Sequence, residues 1–305
     1  MKKILVGCYA AIAATLVAGW ALVRSLKLSA GPLRLSWSNI VFGHRGCRHV
    51  VGIPENTLEA FKYAIDHGCG GIECDVRLTK DGELVSFHDN HVKGKLVDVP
   101  DKAQIDQLTL AELKSYRYVE DPTGKVRVPT LEEVVVFCRE HRIKILIEVK
   151  DLRNIRRSVD KILELYARYP EYMYEQATVI SFNPKVLYHI RQRDAKVATG
   201  SIYDRDFIRD CIHCDVDAVP LLIHVWPALF DYVLLFLQEW LLPWLLGCSL
   251  VCPHYSLYKK KYHQQWKSQG VAMYFWGFKD KTTFTWEFKQ PGIFVSTDDK
   301  HEGFQ

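Results

Sequence analysis

Short apolar runs of strand length recur along this chain with helical patterns between most of them, and that alternation admits few folds. The runs are residues 40–43, 71–76, 143–149, 178–181, 197–199, 250–253, 271–276 and 293–297. Strands that alternate with helices build a parallel sheet, and eight of them suit closure into a TIM (β/α)8 barrel. Asn56 with Glu59, Thr109 with Glu112 and Thr130 with Glu133 each fit a capping box at a helix start, and Gly68 stands where a helix C-terminus favours glycine. One pairing breaks the alternation. Residues 76–78 and 83–85 flank Thr79-Lys80-Asp81-Gly82, and Asp-Gly between alternating runs signals a hairpin. Hairpin strands are antiparallel, so residues 84–87 are not the next barrel strand. They open a small insertion after the second strand, about 84–125, that carries a helix over 109–116.

The 305 residues can bury one large core, expected over 39–305. A net charge of +4 is too even for a nucleic-acid-binding face, so no nucleic acid is expected as partner. Nine cysteines, an odd number, do not read as a disulfide framework, and Cys211, His213 and Cys214 match no standard zinc spacing.

Residues 4–23 carry no charge and are long enough for a transmembrane helix, longer than the apolar region of a signal peptide. They predict a single-pass N-terminal membrane anchor over 1–24, a linker over 25–38, and a protein of the endomembranes or plasma membrane in contact with the bilayer. Lys2 and Lys3 on one side are matched by Arg24 and Lys27 on the other, which leaves the orientation open. A second apolar tract, about 219–252, contains Asp231, Glu239, Pro227 and Pro243. It reads as a buried hairpin of helices or as a pair lying in the lipid interface, with a clean second span disfavoured by the acids.

Side chains two apart on a strand share a face, so Glu73 and Asp75 project together at the end of the second strand. Glu148 and Lys150 do the same at the end of the third. Three carboxylates at one mouth repel unless a cation sits between them, and hard oxygen donors suit Mg²⁺ first, with Ca²⁺ also open, rather than zinc. His44 follows the first strand, and His88 ends the hairpin that returns to the same mouth. Breaking a phosphodiester needs one group to take a proton and another to give one, and imidazole serves both tasks near neutral pH. Arg45 and Lys150 are suited to phosphate oxygens.

These motifs, "FGHRG", "PENTLEAF", "GIECDVRLTKDGELVSFHD", "LIEVK" and "ISFNP", resemble in order and spacing those of the glycerophosphodiester phosphodiesterases, from His44 to the C-terminus. The resemblance implies metal-dependent cleavage of glycerophosphodiesters to glycerol 3-phosphate and an alcohol, on a barrel with a small inserted subdomain. It implies His44 and His88 as the acid–base pair, Glu73, Asp75 and Glu148 as metal ligands, and Arg45 and Lys150 as phosphate contacts. Within the family the chain looks most like the membrane-bound animal members, which points to glycerophosphoinositol or glycerophospho-N-acylethanolamine as substrate. Two segments depart from the pattern. Asn90–Lys95 replaces an Arg-Thr-Thr and glycine-rich run, and Trp276-Gly277-Phe278-Lys279 replaces Trp-Thr-x-Asn. Trp276 is expected to wall the pocket or stack on substrate, and Asp298, in the closing Thr-Asp, to stand behind the site. Two alternatives remain open: a lysophospholipase D acting on acylated substrates, and an inactive membrane scaffold.

Overall fold

The computed structural model describes residues 19, 21–34, 37, 40–151, 153–205, 227–278 and 285–298. Among the described residues nine strands form one sheet: β1 (Val41–His44), β2 (Gly71–Leu78), β3 (Leu84–Ser86), β4 (Lys144–Val149), β5 (Ala177–Ser181), β6 (Thr199–Tyr203), β7 (Leu250–Pro253), β8 (Ala272–Phe275) and β9 (Ile293–Thr297). Eight are parallel, in the order β1-β9-β8-β7-β6-β5-β4-β2, and pairing of β1 with β2 closes them into a barrel. β3 pairs antiparallel with the far end of β2, Val76 facing Ser86. The chain after β3 packs its own small core from Val85, Phe87, Ile105, Leu113 and Val128.

Strand residues alternate between two cores. One face of the barrel strands packs on the helices outside, as Ile72, Cys74, Ile145 and Ile147 do. The other fills the interior with Phe42, Leu146, Ile180, Tyr274 and Phe294, capped at the strand N-terminal end by Trp37. β6 begins later than the expected 197–199. Asp194 accepts from the Lys196 amide and holds that stretch in a turn, so pairing starts at Thr199. Gly200 then fits where a Cβ would lie 2.9 Å from both Cys252 Sγ and Leu250 Cβ.

Capping boxes form at Thr109 and Thr130. The helix Leu58–Asp66 differs: its cap is Thr57, whose side chain accepts from the Ala60 amide, and Asn56 is used elsewhere.

The predicted membrane placement is overturned. Among the described residues no helix is long and apolar enough to cross a membrane. The helix Pro227–Trp240 has 14 residues, about 21 Å of rise against a hydrocarbon core of about 30 Å. Asp231 and Glu239 within it are buried, and Lys259 Nζ lies 2.9 Å from Glu239 Oε1. Residues 1–18 and 20 of the expected anchor, and 219–226 of the second tract, lie outside the described residues, as do Cys211, His213 and Cys214.

Candidate active site

Register brings the acids together. His44 on β1 is level with Glu73 on β2, and Asp75 is level with Glu148 on β4. The period of two aims all four side chains inward at the strand C-terminal end, where barrel chemistry sits. One oxygen from each of Glu73, Asp75 and Glu148 lies within 4.8 Å of the others. A cation about 2.1–2.5 Å from each of its ligands accepts oxygens that far apart. Glu73 Oε1 is buried with no hydrogen-bond partner among the described residues, and Asp75 Oδ1 and Glu148 Oε1 meet only the Lys150 ammonium. Three converging carboxylates so thinly compensated fit a hard divalent ion.

The protein supplies cations of its own around this cluster. Lys150 Nζ stands 2.5 Å from Glu148 Oε1 and 3.2 Å from Asp75 Oδ1. Arg45 Nε lies 3.3 Å from Asp75 Oδ2, and Arg45 Nη1 3.3 Å from Glu55. Burial drives the Glu73 carboxyl well above the usual range, and the charges of Asp75 and Glu148 push it the same way. Burial works on Asp75 in the same direction, but Lys150 and Arg45 outweigh it and hold that carboxyl below its ordinary value. Lys150, which burial alone would lower, is raised by Glu148 and Asp75.

Backbone geometry positions these groups. Arg45 and Cys47 are left-handed, with φ of 53° and 63°, an uncommon conformation for non-glycine residues. The turn lets the Arg45 amide donate to Glu73 Oε2 at 3.0 Å. Asn56, also left-handed at φ 59°, donates from Nδ2 to Asp75 Oδ2 and accepts from the Asp75 amide. Asn56 is therefore a site residue that its capping-box spacing concealed.

His44 and His88 both line the cavity above the acids. His44 Nδ1 lies 2.6 Å from Asp298 Oδ1, and its Nε2 is 3.8 Å from Glu73 Oε2. His88 Nδ1 lies 2.7 Å from Asp89 Oδ1, and Arg77 Nε donates to the His88 carbonyl at 2.7 Å. Arg77, Arg48 and Asn56 were not singled out for the site by sequence, since nothing in their spacing shows what they touch. The cavity is about 710 Å³, with its charged half facing a wall of Ile180, Phe182, Ile202, Trp276 and Phe278. Trp276 is fixed by donating from Nε1 to the Cys252 carbonyl and by edge contacts with Phe182 and His254. All eight residues expected at the site lie in or against this one cavity. Asp75 is the most deeply buried of them, at 0% exposure.

Such a cluster can hold a divalent ion, an anion on Arg45 and Lys150, and two proton-transfer groups around one reacting centre. Comparison with known proteins agrees with that chemistry. The Glycerophosphoryl diester phosphodiesterase family model matches residues 44–300. Glycerophosphodiester phosphodiesterase 1 of Bos taurus is 30% identical over 243 residues, 76% of this chain and 70% of that protein. The Mus musculus protein of the same name is 29% identical with the same coverage. An Oleispira antarctica phosphodiesterase, solved with the product sn-glycerol-3-phosphate, superposes with a TM-score of 0.64 at 19% identity. That match covers 88% of this chain and 96% of that one. The Thermotoga maritima glycerophosphodiester phosphodiesterase gives 0.58 at 22% identity, covering 86% and 96%.

Proposed function

Since the chain belongs to the glycerophosphoryl diester phosphodiesterase family, we propose that the mouth formed by His44, Glu73, Asp75, His88 and Glu148 hydrolyses glycerophosphodiesters to sn-glycerol 3-phosphate and an alcohol. The carrying observation is the convergence of three buried carboxylates beneath two carboxylate-bound imidazoles. Glu73, Asp75 and Glu148 would hold a divalent ion, Mg²⁺ by preference and Ca²⁺ as the alternative. When bound, it supplies Lewis-acid polarisation of a non-bridging phosphate oxygen and lowers the pKa of a nearby hydroxyl.

The residues of the chain do the rest. Arg45 keeps guanidinium donors beyond those facing Asp75 and Glu55, and with Lys150 it orients the phosphate. One of His44 and His88 takes the proton from the attacking hydroxyl and the other protonates the leaving oxygen. Attack by water gives glycerol 3-phosphate directly, whereas attack by the glycerol 2-OH expels the alcohol and leaves a cyclic phosphate that water then opens. Trp276 walls the side on which glycerol or its alcohol sits. Glycerophosphoinositol and glycerophospho-N-acylethanolamine are the substrates to try first. The test is a product-resolved assay with Mg²⁺, Ca²⁺ and EDTA. Hydrolysis that survives full chelation would remove the metal from the reading.

A second reading has one observation in its favour. The apolar wall of Ile180, Phe182, Ile202 and Phe278 would accept an acyl chain, as a lysophospholipase D requires. Parallel rates on acylated and deacylated substrates with the same headgroup separate the two.

A further inference from the structure

We propose that Asp298, held in place by Arg48, is the positioning residue for His44, setting both the direction of its ring and the nitrogen that carries its proton. The inference rests on the catalytic reading of His44 and goes beyond it by assigning the group that makes the imidazole competent.

The geometry crosses the seam where the barrel closes. β1 and β9 pair with Gly43 level with Thr297, so the residues that follow, His44 and Asp298, emerge side by side. Asp298 Oδ1 is 2.6 Å from His44 Nδ1. An ionised carboxylate only accepts, so Nδ1 carries the hydrogen and the Nε2 lone pair is left for the cavity. The other carboxylate oxygen faces a cation: Arg48 Nε lies 3.1 Å from Asp298 Oδ2, an ion pair rather than a well-formed hydrogen bond. Arg48 is presented by the left-handed turn after β1, where its amide donates to the His44 carbonyl at 3.1 Å. His44, Arg48 and Asp298 thus close a triangle in which neither ring nor carboxylate turns freely. Burial opposes the charge on Asp298, but the His44 bond and then Arg48 keep its carboxyl below the ordinary value.

His88 is held differently. Its carboxylate is the next residue in the chain, and Asp89 is 43% exposed where Asp298 is 20%. Among the described residues no ion pair occupies the second oxygen of Asp89.

That contrast makes asparagine the informative substitution. In Asp298→Asn the positive guanidinium of Arg48 favours the amide oxygen on its side and repels the NH₂, which turns the amide NH₂ toward His44 Nδ1. The ring must then accept at Nδ1 and carry its hydrogen on Nε2, the tautomer that blocks proton uptake in the site. In Asp89→Asn the amide is free to present its oxygen, and the His88 tautomer survives.

The experiment compares Asp298→Asn, Asp89→Asn, His44→Ala and His44→Ala/Asp298→Asn in the full chain with saturating Mg²⁺ and glycerophosphoinositol. Asp298→Asn should lower kcat about 10²–10⁴-fold, the span of general acid–base catalysis, whose upper end matches a triad histidine held in the wrong tautomer. KM and the Mg²⁺ activation midpoint should move less than about threefold and the melting temperature little, since the substitution is isosteric. Imidazole ¹⁵N shifts should report hydrogen on Nδ1 of His44 in the parent and on Nε2 in the variant. Asp89→Asn should cost at most about tenfold, and Asp298→Asn should add nothing in the His44→Ala background. Asp298→Asn turnover within about threefold of the parent, or losses that multiply in the double variant, would overturn the proposal. If His44→Ala alone kept parental turnover, the catalytic reading of His44 would fall first and take the proposal with it. If Asp298→Asn failed to fold, Arg48→Met would decide. By freeing the carboxylate it should lower kcat about 3–10-fold with KM unchanged, and an unchanged kcat would count against the proposal.

Discussion

The two ends of the barrel are built from opposite materials. At the strand C-terminal end Glu73, Asp75, Glu148 and Arg45 are buried together beside half-buried Lys150, and Arg45, Cys47, His49 and Asn56 hold left-handed backbone. At the other end Trp37 closes the interior, its ring 6.3 Å from that of Phe42 and 6.1 Å from that of Phe294. Cations there lie over an aromatic face and, among the described residues, meet no carboxylate cluster: Arg34 sits 4.8 Å above Trp37 and donates to the Tyr174 and Ala177 carbonyls. Like charges and strained backbone at the mouth are maintained against their own cost, whereas the plug gains from every contact it makes. Chemistry and stability are therefore separable by position along the barrel axis.

The largest effect that would sharpen this division is expected from the acids. Glu73→Gln, or chelation of the parent, should lower turnover about 10³-fold or more. The melting temperature of metal-free Glu73→Gln should stay level or rise, because one of three mutually repelling groups is neutralised. Paired melting and activity measurements check this, and a large loss of stability would break the contrast. Next come the imidazoles. His44→Ala and His88→Ala should each reduce kcat about 10²–10⁴-fold with unfolding free energy changed by less than about 1 kcal/mol. The plug should show the reverse: Trp37→Ala should cost about 3–5 kcal/mol by urea denaturation and leave kcat within a few-fold at low temperature.

Gly46→Ala tests the one place where the two properties meet. At φ 79° glycine is unstrained, and an added Cβ would lie 2.7 Å from Ala60 Cβ. A loss of about 1–3 kcal/mol is expected together with reduced turnover, because the displaced turn carries both His44 and Arg45. The smallest effect concerns acid. The Asp298 carboxyl is depressed in the fold, so its contribution is complete above the unfolded value of about 3.9 and is lost as pH falls through the folded one. The gap in denaturation midpoint between the parent and Asp298→Asn should be level from pH 7 to about 4 and close below it. A gap that does not change with pH would show that the charge of the seam carboxylate adds nothing to stability.

Local patterns made much of this legible in the chain itself. The strand period placed Glu73 with Asp75 and Glu148 with Lys150, and the strands 250–253 and 293–297 have the expected bounds. The Asp-Gly turn returns β3 antiparallel along β2. Other spacings misled. Asn56 satisfies the spacing of a cap but spends its side chain on Asp75, because a buried carboxylate needs a donor more than a helix start already served by Thr57 does. The second tract admitted either a buried hairpin of helices or a pair in the lipid interface; in the helix Pro227–Trp240 the acids turn inward, where Lys259 reaches Glu239, while Leu229, Tyr232 and Phe236 are exposed.

Residue order alone therefore determined the alternation that closes a barrel, the family, and which ionisable side chains share a strand face, since each depends on neighbours a few positions apart. Only the folded chain decided what those side chains meet. His44 finds its partner 254 residues away at Asp298, and Asn56 and Arg48 join the site through left-handed turns. Contacts of that kind arise from strand register at the seam and from backbone direction in the loops, and no local spacing encodes either.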